Sequence, residues 1–139
     1  MTRRHVTYRM GLDVQSIEEV RDSIAQFGDA YTRRLFTSHE IESSTGDDPT
    51  RASSLAGRFA AKEAVLKVLD IDLEVPPMTS IEIWRDDHSR PMVRLNGLAA
   101  ELAGRQGIKE FSLSLSHSGG VAAAAVIARI APRSLWTRR

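Results

Sequence analysis

The sequence of 139 residues contains no cysteine, which excludes a disulfide scaffold, a cysteine nucleophile and any cysteine-ligated zinc or iron–sulfur site. It also lacks an excess of charge of either sign, since 19 Lys and Arg face 18 Asp and Glu. This balance argues against a nucleic-acid binder that acts through bulk charge. The longest apolar run, 121–128, is too short to cross a bilayer. We therefore expect a cytoplasmic protein with no membrane or nucleic-acid partner.

The length predicts one domain, which we place at 1–132, followed by a short basic tail at 133–139. A chain of this size is long enough to bury a core but short for an enclosed active site. It is therefore compatible with a site at a subunit interface.

Hydrophobic periodicity predicts an α+β fold in which an antiparallel sheet packs against one long helix. A first strand alternates apolar and polar residues, with Gly11 and Asp13 on its polar, wet or functional face. The segment 121–130 fits a doubly buried strand or a helix, and the preceding Gly-Gly turn favours the strand. The other expected elements are helices over 17–27, 31–36, 38–44, 53–69 and 98–105, strands over 81–84, 91–95 and 111–115, and irregular chain over 73–79.

The long helix carries the first candidate site residues. Ala56, Ala60, Glu63 and Lys67 fall on one helical stripe, where the two alanines would let a backbone or a ligand approach closely. The alternative is a simple i, i+4 surface pair between Glu63 and Lys67, and composition alone favours that alternative.

Asp13 lies near the end of the first strand, just before a predicted helix cap at Ser16. Taken alone, it is better explained as a turn or cap residue. Together with Glu63 it supplies two hard oxygen ligands. Two are too few for a protein-only Mg²⁺ site, but they suit a cation that substrate phosphates and water also bind.

The segment Ser114–Gly120 is the third candidate, because hydroxyls, the His117 imidazole and free backbone N–H groups could hold a phosphate. A plain hairpin with a solvated histidine is an equal alternative. Neither of the two standard glycine-rich nucleotide loops is present. A hydrolase built on Ser116 and His117 is disfavoured because neighbouring residues of a strand point to opposite faces.

In order, these motifs resemble the 4′-phosphopantetheinyl transferases of the holo-acyl-carrier-protein synthase type. The resemblance is carried by Gly11-Leu12-Asp13-Val14, by Leu35-Phe36-Thr37 followed by Glu40, by the block from Arg58 to Lys67, by Arg90-Pro91 and by Ser116-His117-Ser118. It spans roughly residues 6 to 130, and the block from Arg58 to Lys67 is its most specific part.

The resemblance implies transfer of the phosphopantetheine arm of coenzyme A to a serine of an apo acyl, polyketide or peptidyl carrier protein, with release of adenosine 3′,5′-bisphosphate. It implies Mg²⁺ held by Asp13 and Glu63 together with the coenzyme A diphosphate. Glu63 is the better candidate for the base, directly or through a metal-bound water, because Lys67 would first have to lose its proton.

By the same resemblance, Lys67 contacts the diphosphate or assists proton transfer, and Arg58 and His117 bind coenzyme A phosphates, with Lys62 as a weaker candidate. Short members of the family form trimers with sites between subunits, so a homotrimer is expected. Phosphoryl transfer depends on positioning and charge neutralisation, so the absence of a protein nucleophile is no objection.

Two departures from the family pattern stand out. Glu19 occupies a position that is commonly basic and docks the acidic carrier, so Arg21 or Arg33 is the alternative docking residue. Ser89 stands where a glycine often precedes the basic-Pro pair. Fatty-acid, polyketide and peptide synthesis all remain open as the pathway, and Mg²⁺ and Mn²⁺ are not distinguished by two carboxylates.

Two other functions compete with the transferase. The first is a non-catalytic coenzyme A or nucleotide-binding module that contacts a carrier protein. The second is a structural trimer whose charged helix faces solvent. Both alternatives have the same fold as the enzyme. They differ from it because the acidic pair has no catalytic role in either.

Overall fold

A computed structural model of the chain describes residues 6–132. The basic tail expected at 133–139 lies outside these described residues. Five strands and five helices follow one another along the described chain, with one short 3-10 turn at Met78–Ser80. They are β1 (Thr7–Ser16), α1 (Ile17–Phe27), α2 (Asp29–Leu35), α3 (Ser38–Ser43), α4 (Asp48–Val68), β2 (Ile81–Arg85), β3 (Pro91–Leu95), α5 (Gly97–Arg105), β4 (Ile108–Ser118) and β5 (Val121–Ile130).

The strands form two antiparallel sheets. The larger has the order β1-β5-β4, and the smaller pairs β2 with β3. In the larger sheet Asp13 lies opposite Ala124, which in turn lies opposite Leu115. The α+β prediction is confirmed, and the segment 121–130 is a strand. Its buried residues alternate along the strand, so one of its faces is buried and not both.

Helix α4 forms the centre of the core. Ala60, Ala61, Ala64 and Val65 have no exposed surface, and they pack with apolar residues of β2, β5 and α5. Small alanine side chains let the sheet approach the helix closely, and burial of this continuous apolar surface is the main favourable term in folding. The sheet and α4 therefore form one rigid frame for side chains that project from either element.

Strand β1 presents the opposite face to the one that its alternation suggested. Gly11 is buried against α4, whereas Met10 is 72% exposed and Leu12 is 62% exposed. A rule that apolar residues point inward fails here, because the glycine lets the strand approach the helix more closely than any side chain would allow. The apolar side of β1 is consequently left on the surface of the isolated chain.

Helix α4 begins five residues earlier than its predicted start at 53. The side chain of Asp47 accepts a hydrogen bond of 3.0 Å from the Thr50 N–H, and Pro49 occupies the first turn. Asp as N-cap and Pro in the first turn are a standard helix start, so the helix begins within the polar segment that precedes residue 53.

Side-chain caps begin both α1 and α3, and the cap predicted at Ser16 is confirmed. Thr37 and Glu40 form both hydrogen bonds of a capping box, at 2.9 Å and 3.2 Å. Ser16 accepts from the Glu19 N–H at 3.2 Å, but the return bond from the Glu19 side chain is not among the contacts of the described residues. None of the helices within 6–132 is long and apolar enough to cross a membrane.

Candidate active site

The contact between β1 and α4 positions the first functional side chains. A Cβ at Gly11 would overlap the carbonyl oxygen of Ala64, so the backbone of β1 lies directly on the helix. At the start of the strand, Arg9 Nη1 donates to the Val68 carbonyl oxygen at 3.2 Å and to the Gln106 side chain at 2.7 Å. These contacts hold β1 at a fixed height along α4, and Asp13 follows on the same face.

Asp13 is held from both sides. One carboxylate oxygen lies 3.2 Å from the Lys67 ammonium, and the other accepts a hydrogen bond of 2.8 Å from the Gln15 side chain. Lys67 also donates to the Leu12 carbonyl oxygen at 2.7 Å. The Asp13 side chain is only 14% exposed, whereas that of Lys67 is 53% exposed. The lysine therefore reaches Asp13 from the solvent side.

Glu63 belongs to the same cluster. Partial burial raises the pKa of its carboxyl above the ordinary value, the negative charge of Asp13 raises that pKa further, and the positive charge of Lys67 opposes both. The effect of the Asp13 charge on the Glu63 carboxyl shows that the two acidic groups face the same region of the structure. The structure thus brings together Asp13, Glu63 and Lys67, three of the residues singled out from the sequence.

Two simpler expectations for this helix are wrong. Within the described residues, the ion pair of Lys67 inside 4.0 Å is with Asp13, not with Glu63 as the i, i+4 alternative expected. Ala56 and Ala60 do not form an open approach for a ligand either, because both are fully buried in the core. They do pack against the sheet, and the close backbone approach between Gly11 and Ala64 lies one turn further along the same face of the helix.

A cavity of about 620 Å³ opens beside the N-terminal half of α4. Its walls are formed by the ends of β2 and β4 and by the beginnings of β3 and β5. Arg58 and His117, both expected to bind phosphates, line it together, and neither Asp13 nor Glu63 does. The helix rises about 1.5 Å per residue, so Arg58 lies roughly 7.5 Å along the axis from Glu63. The residues that line the cavity are Pro49, Thr50, Ser53, Ser54, Gly57, Arg58, Ile83, Trp84, Arg85, Pro91, Leu115, Ser116, His117 and Ala122.

Arg58 is held rigidly at the cavity wall. Its Nη1 donates to the hydroxyls of Ser44 and Ser54 at 2.9 Å and 2.5 Å, and its Nε donates to the Ile83 carbonyl oxygen at 3.4 Å. Burial lowers its pKa, and the carboxylate of Glu40 opposes that shift, but a guanidinium stays protonated at any physiological pH. Within residues 6–132 its Nη2 makes no hydrogen bond, which leaves those donors for an anion.

His117 stands on the opposite wall, at the end of β4, and is exposed. Its strand partner is Ala122, whose small side chain leaves the cavity open at this point. Ser116 lines the same cavity, and no hydrogen bond joins it to His117 in the described part of the chain. The geometry therefore fits an imidazole that contacts a ligand and does not fit a serine–histidine nucleophile.

Lys62 requires a correction. Its ammonium is fully buried, lies 2.5 Å from the Glu40 carboxylate, and donates to the Leu35 and Met78 carbonyl oxygens at 2.7 Å and 3.1 Å. Burial lowers its pKa, and the Glu40 carboxylate opposes this shift. All three N–H donors are used inside the protein, so Lys62 has a structural position here and does not contact a coenzyme A phosphate.

The sequence reasoning missed several residues that shape the site. Ser44 and Ser54 carried no signal that they would hold Arg58. Gly11 did carry one, since a glycine inside an alternating strand often marks a close backbone approach. In the turn between β2 and β3, Ser89 adopts a φ of 61°, the left-handed conformation that favours the glycine often found there in the family pattern.

Comparisons with known proteins show the family of the chain. Residues 9–126 match the family model of the 4′-phosphopantetheinyl transferase superfamily. A holo-[acyl-carrier-protein] synthase of Chloroflexus aurantiacus is 34% identical over 130 residues, covering 85% of this chain and 95% of that protein. One of Streptomyces avermitilis is 39% identical over 119 residues, covering 86% and 94%.

Solved structures show the same fold. The holo-[acyl-carrier-protein] synthase of Helicobacter pylori in complex with coenzyme A aligns with a TM-score of 0.75 and 27% identity over 86% of this chain and 99% of that one. The enzyme from Neisseria meningitidis aligns with a TM-score of 0.76 and 28% identity over 86% and 95%. On the strength of the family match and of these relatives, the chain belongs to the 4′-phosphopantetheinyl transferase superfamily.

Proposed function

We propose that this protein transfers the 4′-phosphopantetheine arm of coenzyme A to a serine of an apo carrier protein. The observation that carries the proposal is the cluster of Asp13 on β1 with Glu63 and Lys67 on α4, the helix that also borders the cavity lined by Arg58 and His117, in a chain of this family. Adenosine 3′,5′-bisphosphate is the leaving group of that reaction. The domain that performs it is residues 1–132.

A divalent cation, Mg²⁺ in the first instance, fits the acidic pair. No group of three or more potential ligand side chains occurs between residues 6 and 132, so the protein alone offers too few ligands for a closed site. Two carboxylates with mutual repulsion do suit a cation whose remaining positions are filled by phosphate oxygens and water. When bound, such a cation polarises the diphosphate and neutralises charge on the departing bisphosphate.

The protein side chains divide the remaining work. Glu63 is the base for the carrier serine, directly or through a metal-bound water, because Lys67 would first have to lose its proton. Lys67 is placed to contact the diphosphate with its ammonium. Arg58, through its Nη2 donors, and His117 bind phosphates of coenzyme A in the cavity, which Arg85 makes more positive.

Carrier docking falls to basic residues of the α1–α2 region. Glu19 is exposed and acidic, so it cannot attract an acidic carrier. Arg21 and Arg33 are both exposed on neighbouring helices. Arg33 lies 4.0 Å from Asp29, and so loose a pair between two exposed side chains is easily exchanged for a partner's carboxylate.

The protein is proposed to act as a homotrimer. The outer sheet face consists of Tyr8, Met10, Leu12 and Val14 of β1 with Val121 and Ile127 of β5, and all six side chains are exposed in the single chain. A contiguous exposed apolar surface of this kind marks an interaction site, and a second copy of the chain is the partner proposed here. Neither residue of the acidic pair lines the cavity of the single chain, and a site completed between subunits also fits this arrangement. The setting proposed for the trimer is the cytoplasm.

The test is a mass measurement on the acceptor. The protein is incubated with coenzyme A, Mg²⁺ and a panel of apo carriers from fatty-acid, polyketide and peptide synthesis, and each carrier is weighed by mass spectrometry. We expect a gain of one phosphopantetheine arm on at least one carrier. Calorimetric binding of coenzyme A with no gain on any carrier that a control enzyme modifies would support the non-catalytic binding module instead.

A further inference from the structure

Lys67 occupies the place next to Asp13 where a cation is required. Its ammonium contacts two oxygens, the Leu12 carbonyl at 2.7 Å and Asp13 Oδ1 at 3.2 Å. Carbonyl and carboxylate oxygens are also the ligands that Mg²⁺ and Mn²⁺ prefer. The lysine and a divalent cation are therefore competitors for the same carboxylate.

The environment makes the lysine replaceable. Its side chain is 53% exposed, so the ammonium can return to water at little cost in desolvation. Two positive charges at one carboxylate oxygen repel each other, so a divalent cation at Asp13 weakens the attraction of that carboxylate for Lys67. The arrival of a divalent cation at Asp13 therefore drives Lys67 away from it.

Asp13 itself is prepared to stay in place during such an exchange. Its second oxygen is held at 2.8 Å by the Gln15 side chain, which lies on the same strand and the same face. The Gly11 contact with α4 fixes the backbone two residues earlier. Gln15 is thus a positioning residue for the carboxylate, independent of Lys67.

From these contacts we propose an exchange of cations at Asp13. In the metal-free protein Lys67 is the counter-ion of the acidic pair, and a divalent cation displaces it, so that binding of the cation frees the ammonium to contact the coenzyme A diphosphate. This inference rests on the proposed function, since it assumes that the acidic pair takes up a cation. It adds a coupling between loading of the site and the position of Lys67.

The first experiment measures Mn²⁺ binding by electron paramagnetic resonance, with and without coenzyme A. Lys67→Met removes the competitor, and Lys109→Met removes the same charge from an exposed position on β4. We expect Mn²⁺ to bind roughly threefold to tenfold more tightly to the Lys67 variant and within about twofold of the wild type to the Lys109 variant. Equal tightening in both variants, or none in either, overturns the exchange.

The second experiment follows the lysine directly. The chain has three lysines, Lys62, Lys67 and Lys109, so lysine labelled with ¹³C at Cε gives three assignable signals. We expect Asp13→Asn to shift the Lys67 signal without any metal, and Mg²⁺ to shift it in the wild type while the Lys109 signal stays in place. A Lys67 signal that ignores both changes overturns the proposal.

The outcomes separate this inference from the proposed function. Tight Mn²⁺ binding together with an unmoved Lys67 signal rejects the exchange and keeps the cation site. Absence of Mn²⁺ binding in every variant, with and without coenzyme A, rejects both the exchange and the cation site. In either case the carrier mass measurement decides independently whether transfer occurs.

Discussion

Glu63 binds its proton more tightly in the folded chain than an ordinary carboxyl does. Burial and the charge of Asp13 raise its pKa, against the opposing charge of Lys67. Because the folded pKa lies above the unfolded value, ionised Glu63 lowers the free energy of unfolding at neutral pH. That cost vanishes as the pH falls below the usual carboxyl value of 4.5, where both states are protonated. A residue kept at such a cost is a candidate for function.

Replacement of Glu63 by Gln is therefore expected to separate stability from activity. The variant should resist urea better than the wild type at pH 7, with the difference disappearing in acid, because the unfavourable charge is gone. Its kcat for carrier modification should fall by about 10²-fold or more, the usual loss when a general base is removed. Unfolding curves at several pH values and a transfer assay give both quantities.

The matched control is Glu42→Gln, which removes the same charge from an exposed position on α3. It should change neither quantity appreciably. If the Glu63 variant keeps the wild-type kcat, Glu63 is not the general base. A Glu63 variant less stable than the wild type at pH 7 would contradict the direction of its pKa shift.

At the scale of secondary structure elements, the packing of β1 on α4 depends on one glycine. Gly11→Ala would force a Cβ into the Ala64 carbonyl oxygen and push the strand off the helix. We expect a loss of about 3 kcal/mol in the free energy of unfolding, at the upper end for overpacking. Urea denaturation measures it.

Gly104→Ala is the matched control, because the same methyl group meets nothing within 4 Å on α5. There it should stabilise the protein by about 1 kcal/mol, through better helix propensity. If Gly11→Ala is as harmless as this control, then the strand does not lie on the helix as described, and the position of Asp13 is wrong with it.

A second element-scale dependence is the buried pair of Glu40 and Lys62. The Glu40 carboxylate receives the Lys62 ammonium at 2.5 Å and the Ile83 N–H at 2.9 Å, and so ties α3, α4 and β2 together. Glu40→Ala would leave Lys62 charged and unpaired in the core. We expect a loss of about 3–5 kcal/mol in the free energy of unfolding, measured by urea denaturation.

The exposed pair of Asp29 and Arg33 provides the comparison, because its geometry is i, i+4 and both side chains are largely exposed. Asp29→Ala should cost no more than about 0.5 kcal/mol beyond the helix N-terminal effect of that residue. A Glu40 variant as stable as the Asp29 variant would show that the buried pair contributes little to the fold.

Much of this element-level architecture could be predicted from the sequence, and its failures have physical causes. Alternation identified β4, and the Gly-Gly turn favoured the strand at β5, because both patterns are local. The sequence could not show which face of β1 packs on the helix, because the apolar side of a strand can face a partner chain as well as the core of its own chain. The burial of Lys62 was also hidden, because it depends on Glu40, which is distant in the chain.

The candidate site shows the same division. Asp13, Glu63 and Lys67 were singled out from their places on the strand and the helix, and the motif resemblance assigned their roles. Their proximity depends on the close packing of Gly11 on α4. Arg58 and His117 were expected to bind phosphates. Their common cavity is formed with β2, β3 and β5, and the motifs did not indicate how close those strands lie to either residue. Long-range contacts of this kind carry no local sequence signal.

At the scale of the whole molecule, the outer sheet face predicts assembly. Met10→Lys places a charge on a side chain that is 72% exposed in one chain, so the isolated fold should tolerate it while the trimer should dissociate. Sedimentation should give three times the chain mass of 15.4 kDa for the wild type and a lower mass for the variant. Leu73→Lys, at a residue 91% exposed outside this face, should leave the mass unchanged.

A wild type that sediments as a single chain would contradict the proposed homotrimer. Equal dissociation by both lysine variants would instead show that the outer sheet face is not specifically the interface. The transfer activity of the dissociated Met10 variant is a further test. A site shared between subunits predicts loss of transfer while the fold of the chain stays intact.

The most direct test of the whole account is the mass of an apo carrier protein after incubation with coenzyme A, Mg²⁺ and either the wild type or Asp13→Asn. We predict that the wild type adds one phosphopantetheine arm, and that the folded variant adds it at least about 10²-fold more slowly, because one of the two carboxylates that grip the cation is gone. Modification at the wild-type rate by Asp13→Asn would contradict the account.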